Sequence, residues 1–137
     1  MVIRAASEPD LPAIADIQSA APEASQWNPC DYLTYECRVA EAGSAVVGFI
    51  VARPVDGREW EILNLAVAPR VRRQGIGRQL LGDTLARHPG EFFLEVRESN
   101  IPARRFYEYA GFRAITKRLQ YYCNPVEAAI VMKLLSC

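Results

Sequence analysis

The chain has 137 residues, 50% of them hydrophobic, which suits one domain with one sizeable core and leaves no room for a second. Lysine plus arginine and aspartate plus glutamate number 16 each, so the formal net charge is zero and no global field would hold the protein on nucleic acid or an anionic membrane. The opening residues carry no long apolar core, and nowhere do about 18 apolar residues run together, so a soluble cytoplasmic protein is expected, with neither nucleic acid nor membrane as a partner.

Residues 2–5 read as a short strand. Ser7-Glu8-Pro9-Asp10 then reads as a capping box, with Ser7 as N-cap and Asp10 reaching back at the third helical position. The next helix keeps Leu11, Ile14, Ala15 and Ile17 on one face, and Pro22 marks its end. Trp27-Asn28-Pro29 opens a second, shorter helix through about residue 35, with Asn28 as cap. Strands come next: residues 38–41, a turn at Gly43-Ser44, residues 45–54, a turn at Asp56-Gly57, and residues 60–67, an antiparallel meander.

A glycine-punctuated basic loop succeeds the last of these strands and opens a helix on which Leu80, Leu81, Thr84 and Leu85 recur, ended by His88-Pro89-Gly90. A strand at residues 92–96 completes a strand–helix–strand crossover, so the strands either side of the helix should run parallel. Residues 102–109 form a helix with Gly111 beyond its C-terminus, and residues 112–117 and 128–134 read as closing strands. The order is β-α-α-β-β-β-α-β-α-β-β, a mixed α/β (α+β) fold with a mostly antiparallel central sheet flanked by helices. With no repeat or linker, residues 1–137 are expected to form a single domain.

Cys30, Cys37, Cys123 and Cys137 are scattered without a C-x-x-C pair or a nearby histidine, which leaves no zinc site or disulfide framework, and no metal is expected. They read as buried or incidental thiols. His88, the single histidine, stands at a helix end beside Pro89, where capping explains it. Glu98, Arg104 and Arg105 read as a solvated face.

The strand-to-loop-to-helix stretch carries the chemistry. Glycines let a backbone approach a ligand closely, and the first N–H groups of a helix lack intrahelical acceptors, so they point outward as donors. Arg70, Arg72, Arg73 and Arg78 add positive charge there, which favours an anion over a plain turn. A dinucleotide fingerprint would want a third glycine where Leu80 stands, and a P-loop would want Gly-Lys-Ser/Thr, which is absent. What remains is a short loop able to hold one pyrophosphate through backbone N–H groups.

Arg72-x-x-Gly75-x-Gly77 resembles the acetyl-CoA pyrophosphate loop of the GNAT superfamily of N-acetyltransferases. Leu94-Glu95-Val96-Arg97-Glu98-Ser99-Asn100, Ala103, Phe106-Tyr107-Glu108-Tyr109-Ala110-Gly111-Phe112 and Arg118-Leu119-Gln120-Tyr121-Tyr122 are similar more narrowly to the RimI-type ribosomal-protein alanine N-acetyltransferases, over about residues 2–134.

The resemblance implies acetyl-CoA as cosubstrate, its diphosphate on Arg72, Arg73, Gln74, Gly75, Ile76, Gly77 and Arg78, its pantetheine arm on the backbone of Leu65, Ala66 and Val67, and further contacts from Asn100 and Ala103. It implies Tyr107 as the acid that protonates the leaving thiolate and Glu95 as the base that takes the amine proton, directly or through water. Arg118, Tyr121 and Tyr122 match one wall of a peptide channel, with Trp27 on the other side. Two features depart from the branch: a shorter helix after Gly77, and only Cys123-Asn124-Pro125-Val126 between Tyr122 and Glu127, beside the expected channel.

A chain-terminal α-amine with a pKa of about 8 needs only about 1.4 kcal/mol to deprotonate at pH 7, whereas lysine needs roughly 4.6. A water-relayed carboxylate therefore suits an N-terminus, so a protein or peptide N-terminus, that of a ribosomal protein included, is the expected acceptor. A small-molecule amine is the alternative, and a non-catalytic CoA-binding module is the alternative of a different class. A monomer or weak dimer is expected.

Overall fold

Ser7 and Asp10 set the start of the first helix by a local exchange of hydrogen bonds. In the computed structural model, which describes residues 1–22, 26–123 and 126–136, the Ser7 backbone N–H donates to Asp10 Oδ2 at 2.9 Å. A 3-10 turn, Glu8–Asp10, carries that box and leads into α1, Leu11–Ser19. The chain falls into two compact units, Met1–Arg53 with Ile62–His88, and Pro54–Glu61 with Pro89–Cys137.

In the first unit β1 (Val2–Ala5), β2 (Glu36–Ala42), β3 (Ala45–Asp56) and β4 (Glu59–Val67) neighbour one another in that order, with β1–β2 and β2–β3 antiparallel. Val47, Phe49, Ile50, Val51 and Ala52 of β3 are all buried, the continuous apolar run of a strand covered on both faces. Phe49 and Val51 join Ile14 and Ile17 of α1, Val39 and Leu63 in one core cluster. Gly48 has the opposite parity and faces α2, Ile76–Arg87. A Cβ there would lie 3.1 Å from Leu80 Cδ1 and 3.2 Å from Ala66 O, so the missing side chain lets helix and sheet approach.

Strand β4 does not keep a strict inside–outside alternation, its residues 62–64 and 66 all being buried. Leu63, Ala66 and Ala68 all join the same cluster, although strict alternation puts positions 63 and 66 on opposite sides of a pleat.

In the second unit the order is β4, β5 (Gly90–Arg97), β7 (Val126–Ser136) and β6 (Arg113–Cys123), with β6 at the edge. The start of β4 pairs parallel with β5 over Glu59–Glu91, Trp60–Phe92 and Glu61–Phe93, as the crossover requires. β5–β7 and β6–β7 are antiparallel. Phe92, Leu94, Val96, Phe112 and residues 128–132 are buried, and α3, Ile101–Tyr109, contributes Tyr107 to the interior. The architecture is a mixed, open, mostly antiparallel sheet flanked by helices.

The local differences from the sequence expectation have plain causes. The segment after Asn28 is a 3-10 helix, Pro29–Thr34, rather than an α-helix, and six residues are too few to offset the nucleation cost of an α-helix. Asn28 still caps it, its side chain accepting from Cys30 N at 3.0 Å. The closing strands run longer than residues 112–117 and 128–134 because backbone pairing continues past the apolar stretch as far as Cys123 and Val126. Asn124, Pro125 and Cys137 lie outside the described residues. Cys30 and Cys37 are free thiols, and burial pushes the Cys37 thiol up to about 12. His88 sits at the C-cap of α2 with Nε2 2.5 Å from Glu36 Oε2. Among the described residues no helix is long and apolar enough to cross a membrane.

Asp10, with a side chain 8% exposed, is gripped by two nitrogens of Arg4, at 2.8 and 2.9 Å. That guanidinium holds its carboxyl down to about 2. A depressed carboxyl stabilises the fold above its unfolded value and loses that contribution as acid protonates the native state. Asp10→Asn is expected to cost on the order of 2 kcal/mol at pH 7. In urea melts the gap from wild type should close between about pH 4 and pH 2.

Candidate active site

The first unit carries the glycine loop. After β4 a 3-10 turn, Pro69–Val71, brings the chain round to Arg72, and Arg73 and Gly75 adopt left-handed backbone conformations at φ 66° and 81°. For arginine such a conformation costs about 1–2 kcal/mol, so the loop is held in shape against local preference. Gly75 is the N-cap of α2 and offers no side-chain oxygen to the first turn. A Cβ at Gly75 would meet nothing within 4 Å, so the space beside the helix start is open and its N–H groups can meet an anion. Arg70, Arg72, Arg73, Gln74 and Arg78 are exposed around it, while Ile76 is buried and anchors the helix. These features fit a diphosphate.

The approach to this loop is held by polar groups that patterning alone does not reveal. Gln18 and Asn64 are 6% exposed, and Tyr32 is fully buried. The Tyr32 hydroxyl donates to Gln18 Oε1 at 2.5 Å, and Asn64 Nδ2 donates to Gln18 Oε1 and to the Tyr32 oxygen, both at 3.1 Å. Asn64 Oδ1 accepts from Leu65 N at 3.0 Å. Gln18 Nε2 donates to the Trp27 carbonyl at 2.6 Å, so the same network reaches the residue expected at the acceptor side. Trp27 itself is 45% exposed. Leu65 and Val67 are half-buried, Ala66 is buried, and the Val67 carbonyl accepts from Arg72 Nε at 3.3 Å. Gln18 was visible in the sequence only as a polar residue one step beyond the buried Ile14 and Ile17 positions, and Asn64 as one in an apolar strand.

The second unit gathers four expected residues in one cluster. Glu95 on β5 has a side chain 12% exposed, and Arg118 Nη1 on β6 donates to its Oε1 at 2.7 Å. The Arg118 guanidinium lies 4.4 Å from the Tyr121 ring centroid, and Tyr121 meets Tyr122 edge-on at 5.0 Å. Arg97 covers the Tyr122 ring at 4.2 Å and pairs with Glu127 at 3.3 Å. Burial raises both phenols, Tyr122 to about 12, with the negative charge of Glu95 adding to the effect. Glu95 Oε2 is buried without a hydrogen-bond partner among the described residues.

Tyr107 on α3 is 8% exposed, packed edge-on against Phe106 and Phe112 at 5.2 and 5.5 Å. Burial raises its phenol, which keeps the hydroxyl protonated at neutral pH. Asn100 caps the helix by accepting from Ala103 N at 3.3 Å, so this side chain has a structural task independent of any cofactor. Glu98 and Arg104 are less free than a solvated face implies: Glu98 pairs with Lys117 at 2.6 Å, and Arg104 Nη1 donates to the Glu98 carbonyl at 2.8 Å. Among the described residues no group of three or more His, Cys, Asp or Glu could hold a metal ion.

A strand turned by glycine into an arginine-flanked helix start forms a seat for an anionic group such as a diphosphate. Residues 4–112 match the model of the Acetyltransferase (GNAT) family, and the chain belongs to that family. It is an acetyl-CoA-dependent acetyltransferase. An uncharacterized N-acetyltransferase of Methanocaldococcus jannaschii is 33% identical over 150 aligned positions, spanning 97% of this chain and 91% of the relative. The crystal structure of the ribosomal-protein-S18-alanine N-acetyltransferase from Escherichia coli is similar at a TM-score of 0.83 and 30% identity, covering 98% of this chain and 93% of its own. That of Ard1 from Thermoplasma volcanium is similar at 0.89 and 30%, covering 99% and 97%.

Asn64→Leu removes two donors from a buried network and leaves the Gln18 and Tyr32 oxygens short of partners. A loss of about 1–3 kcal/mol in urea unfolding is expected. A double-mutant cycle with Tyr32→Phe should return a coupling of about 0.5 kcal/mol or more, as for side chains in direct contact.

Proposed function

We propose that this enzyme moves the acetyl group of acetyl-CoA directly to the N-terminal α-amine of a protein or peptide, of the ribosomal-protein alanine type, working in the cytoplasm as one N-acetyltransferase domain. The observation that carries this reading is the Glu95 carboxylate, one oxygen of which is buried and has no hydrogen-bond partner among the described residues, set beside a wall of tyrosine rings and guanidinium groups. Such a wall suits a peptide, because rings stack and guanidinium groups grip main-chain carbonyls. The E. coli relative acts on a ribosomal-protein alanine, which supports the same acceptor class here.

In this mechanism the N–H groups between Gln74 and Gly77, backed by Arg73 and Arg78, hold the diphosphate of coenzyme A. Backbone groups of residues 65–67 take the pantetheine arm as an added strand, Asn100 and Ala103 adding contacts. An N–H of that stretch would stabilise the oxyanion as the amine attacks, and a donor so placed is worth about 3–4 kcal/mol. Glu95 accepts the amine proton, directly or through water, and Tyr107 delivers a proton to the departing thiolate. The acyl group passes in one step, without a covalent enzyme intermediate.

Mass spectrometry of peptides with free N-termini, incubated with enzyme and acetyl-CoA, should find the added mass on the first residue. Mass gain confined to lysine side chains or small amines would overturn the acceptor, and absence of turnover despite coenzyme binding would favour a binding module. Tyr107→Phe and Glu95→Gln are each expected to lower kcat by about a hundredfold or more while leaving the dissociation constant for acetyl-CoA within about twofold. The rate should rise with pH to a plateau near about 8 as the α-amine loses its proton. Because the Tyr107 phenol is raised, the alkaline decline should fall above the ordinary phenol value of about 10.

A further inference from the structure

We propose that Arg118 determines acceptor specificity: it selects peptides bearing a carboxylate close to the reacting amine, an acidic side chain at the second or third residue, by exchanging its ion pair with Glu95 for one with the acceptor. The inference rests on the N-terminal acetyltransferase reading above and adds the class of peptide.

Arg118 and Glu95 form an unequal pair. The Arg118 side chain is 52% exposed and that of Glu95 12%, with 2.7 Å between Nη1 and Oε1. The guanidinium is the end that can leave, and its position over the Tyr121 ring, 4.4 Å from the centroid, keeps it parked beside the carboxylate when it does. Nearby cations are already engaged, Lys117 with Glu98 at 2.6 Å and Arg97 with Glu127 at 3.3 Å.

A donor already sits on Oε1 of Glu95, while Oε2 is buried and has no hydrogen-bond partner among the described residues. An arriving amine therefore competes with Arg118 for one carboxylate. A carboxylate on the acceptor gives the guanidinium a second destination and leaves both Glu95 oxygens to the amine. The geometry sets the reach: with amine and guanidinium each within hydrogen-bond distance of Glu95, the acceptor carboxylate must stand roughly 4–7 Å from the amine. An aspartate or glutamate one or two residues along a peptide spans that distance. A lysine at the same place would meet Arg118 as a like charge.

The test is a set of peptides identical except at the second residue, Asp, Asn or Lys, with kcat/KM measured for wild type, Arg118→Gln and Arg118→Lys. Wild type is expected to favour Asp over Asn by about fivefold, equivalent to about 1 kcal/mol, with Lys the poorest acceptor. Raising the salt should shrink the preference, because the exchange is at an exposed charge. Arg118→Gln should bring the Asp-to-Asn ratio to about one, and Arg118→Lys should restore part of it. Thermal melts of the three proteins check that the ratios belong to folded enzyme.

A wild-type ratio near one, or a ratio that survives in Arg118→Gln, overturns the role of Arg118 while N-terminal acetylation stands. Absence of N-terminal acetylation on all three peptides overturns the acceptor reading and this inference with it.

Discussion

The buried hydrogen bonds of Asn64 are the constraint on which the architecture leading into the glycine loop depends. A strand that carries a polar side chain into an apolar core must meet partners there or forfeit the desolvation cost of that group. Gln18 of α1 and Tyr32 of the 3-10 helix supply them, and Asn64 in turn secures Leu65 N. The turn at Pro69–Val71 and the left-handed pair Arg73 and Gly75, which come next along the chain, start from a fixed point. An anion seat built from N–H groups has value only when those donors are already aimed, since ordering them on binding would consume the interaction.

The second unit organises charge rather than a backbone cradle. Three of its acidic groups each have a basic partner, so these carboxylates are held in position without a net field: Glu95 with Arg118, Glu98 with Lys117, Glu127 with Arg97. Stacking of two guanidinium groups on Tyr121 and Tyr122 places positive charge on an apolar surface at little desolvation cost. Tyr107 is the contrast, a phenol packed among aromatic rings, where burial keeps it neutral.

Much of this was legible in the residues. The apolar run of β3, the capping box at Ser7 and Asp10, the crossover through α2 and the glycine pair at Gly75 and Gly77 are local patterns, each enforced by the chain within a few residues of itself. The glycine loop was therefore legible in advance by pattern, and the structure brings Arg118, Tyr121 and Tyr122 together as the resemblance led one to expect. The 3-10 form of Pro29–Thr34 and the full length of β6 and β7 were not, because short helices and strand ends are decided by pairing and packing that local preference barely influences.

Residue order alone was enough to set the succession of elements and the position of the glycine turn, because backbone propensity and periodicity act over neighbouring residues. It took the folded chain to establish that Gln18, Tyr32 and Asn64 share one network and that Arg118 rests on Glu95. Those pairings join residues 14 to 46 positions apart, and no local rule relates them. They exist because buried polar groups must find partners wherever the fold brings them within reach.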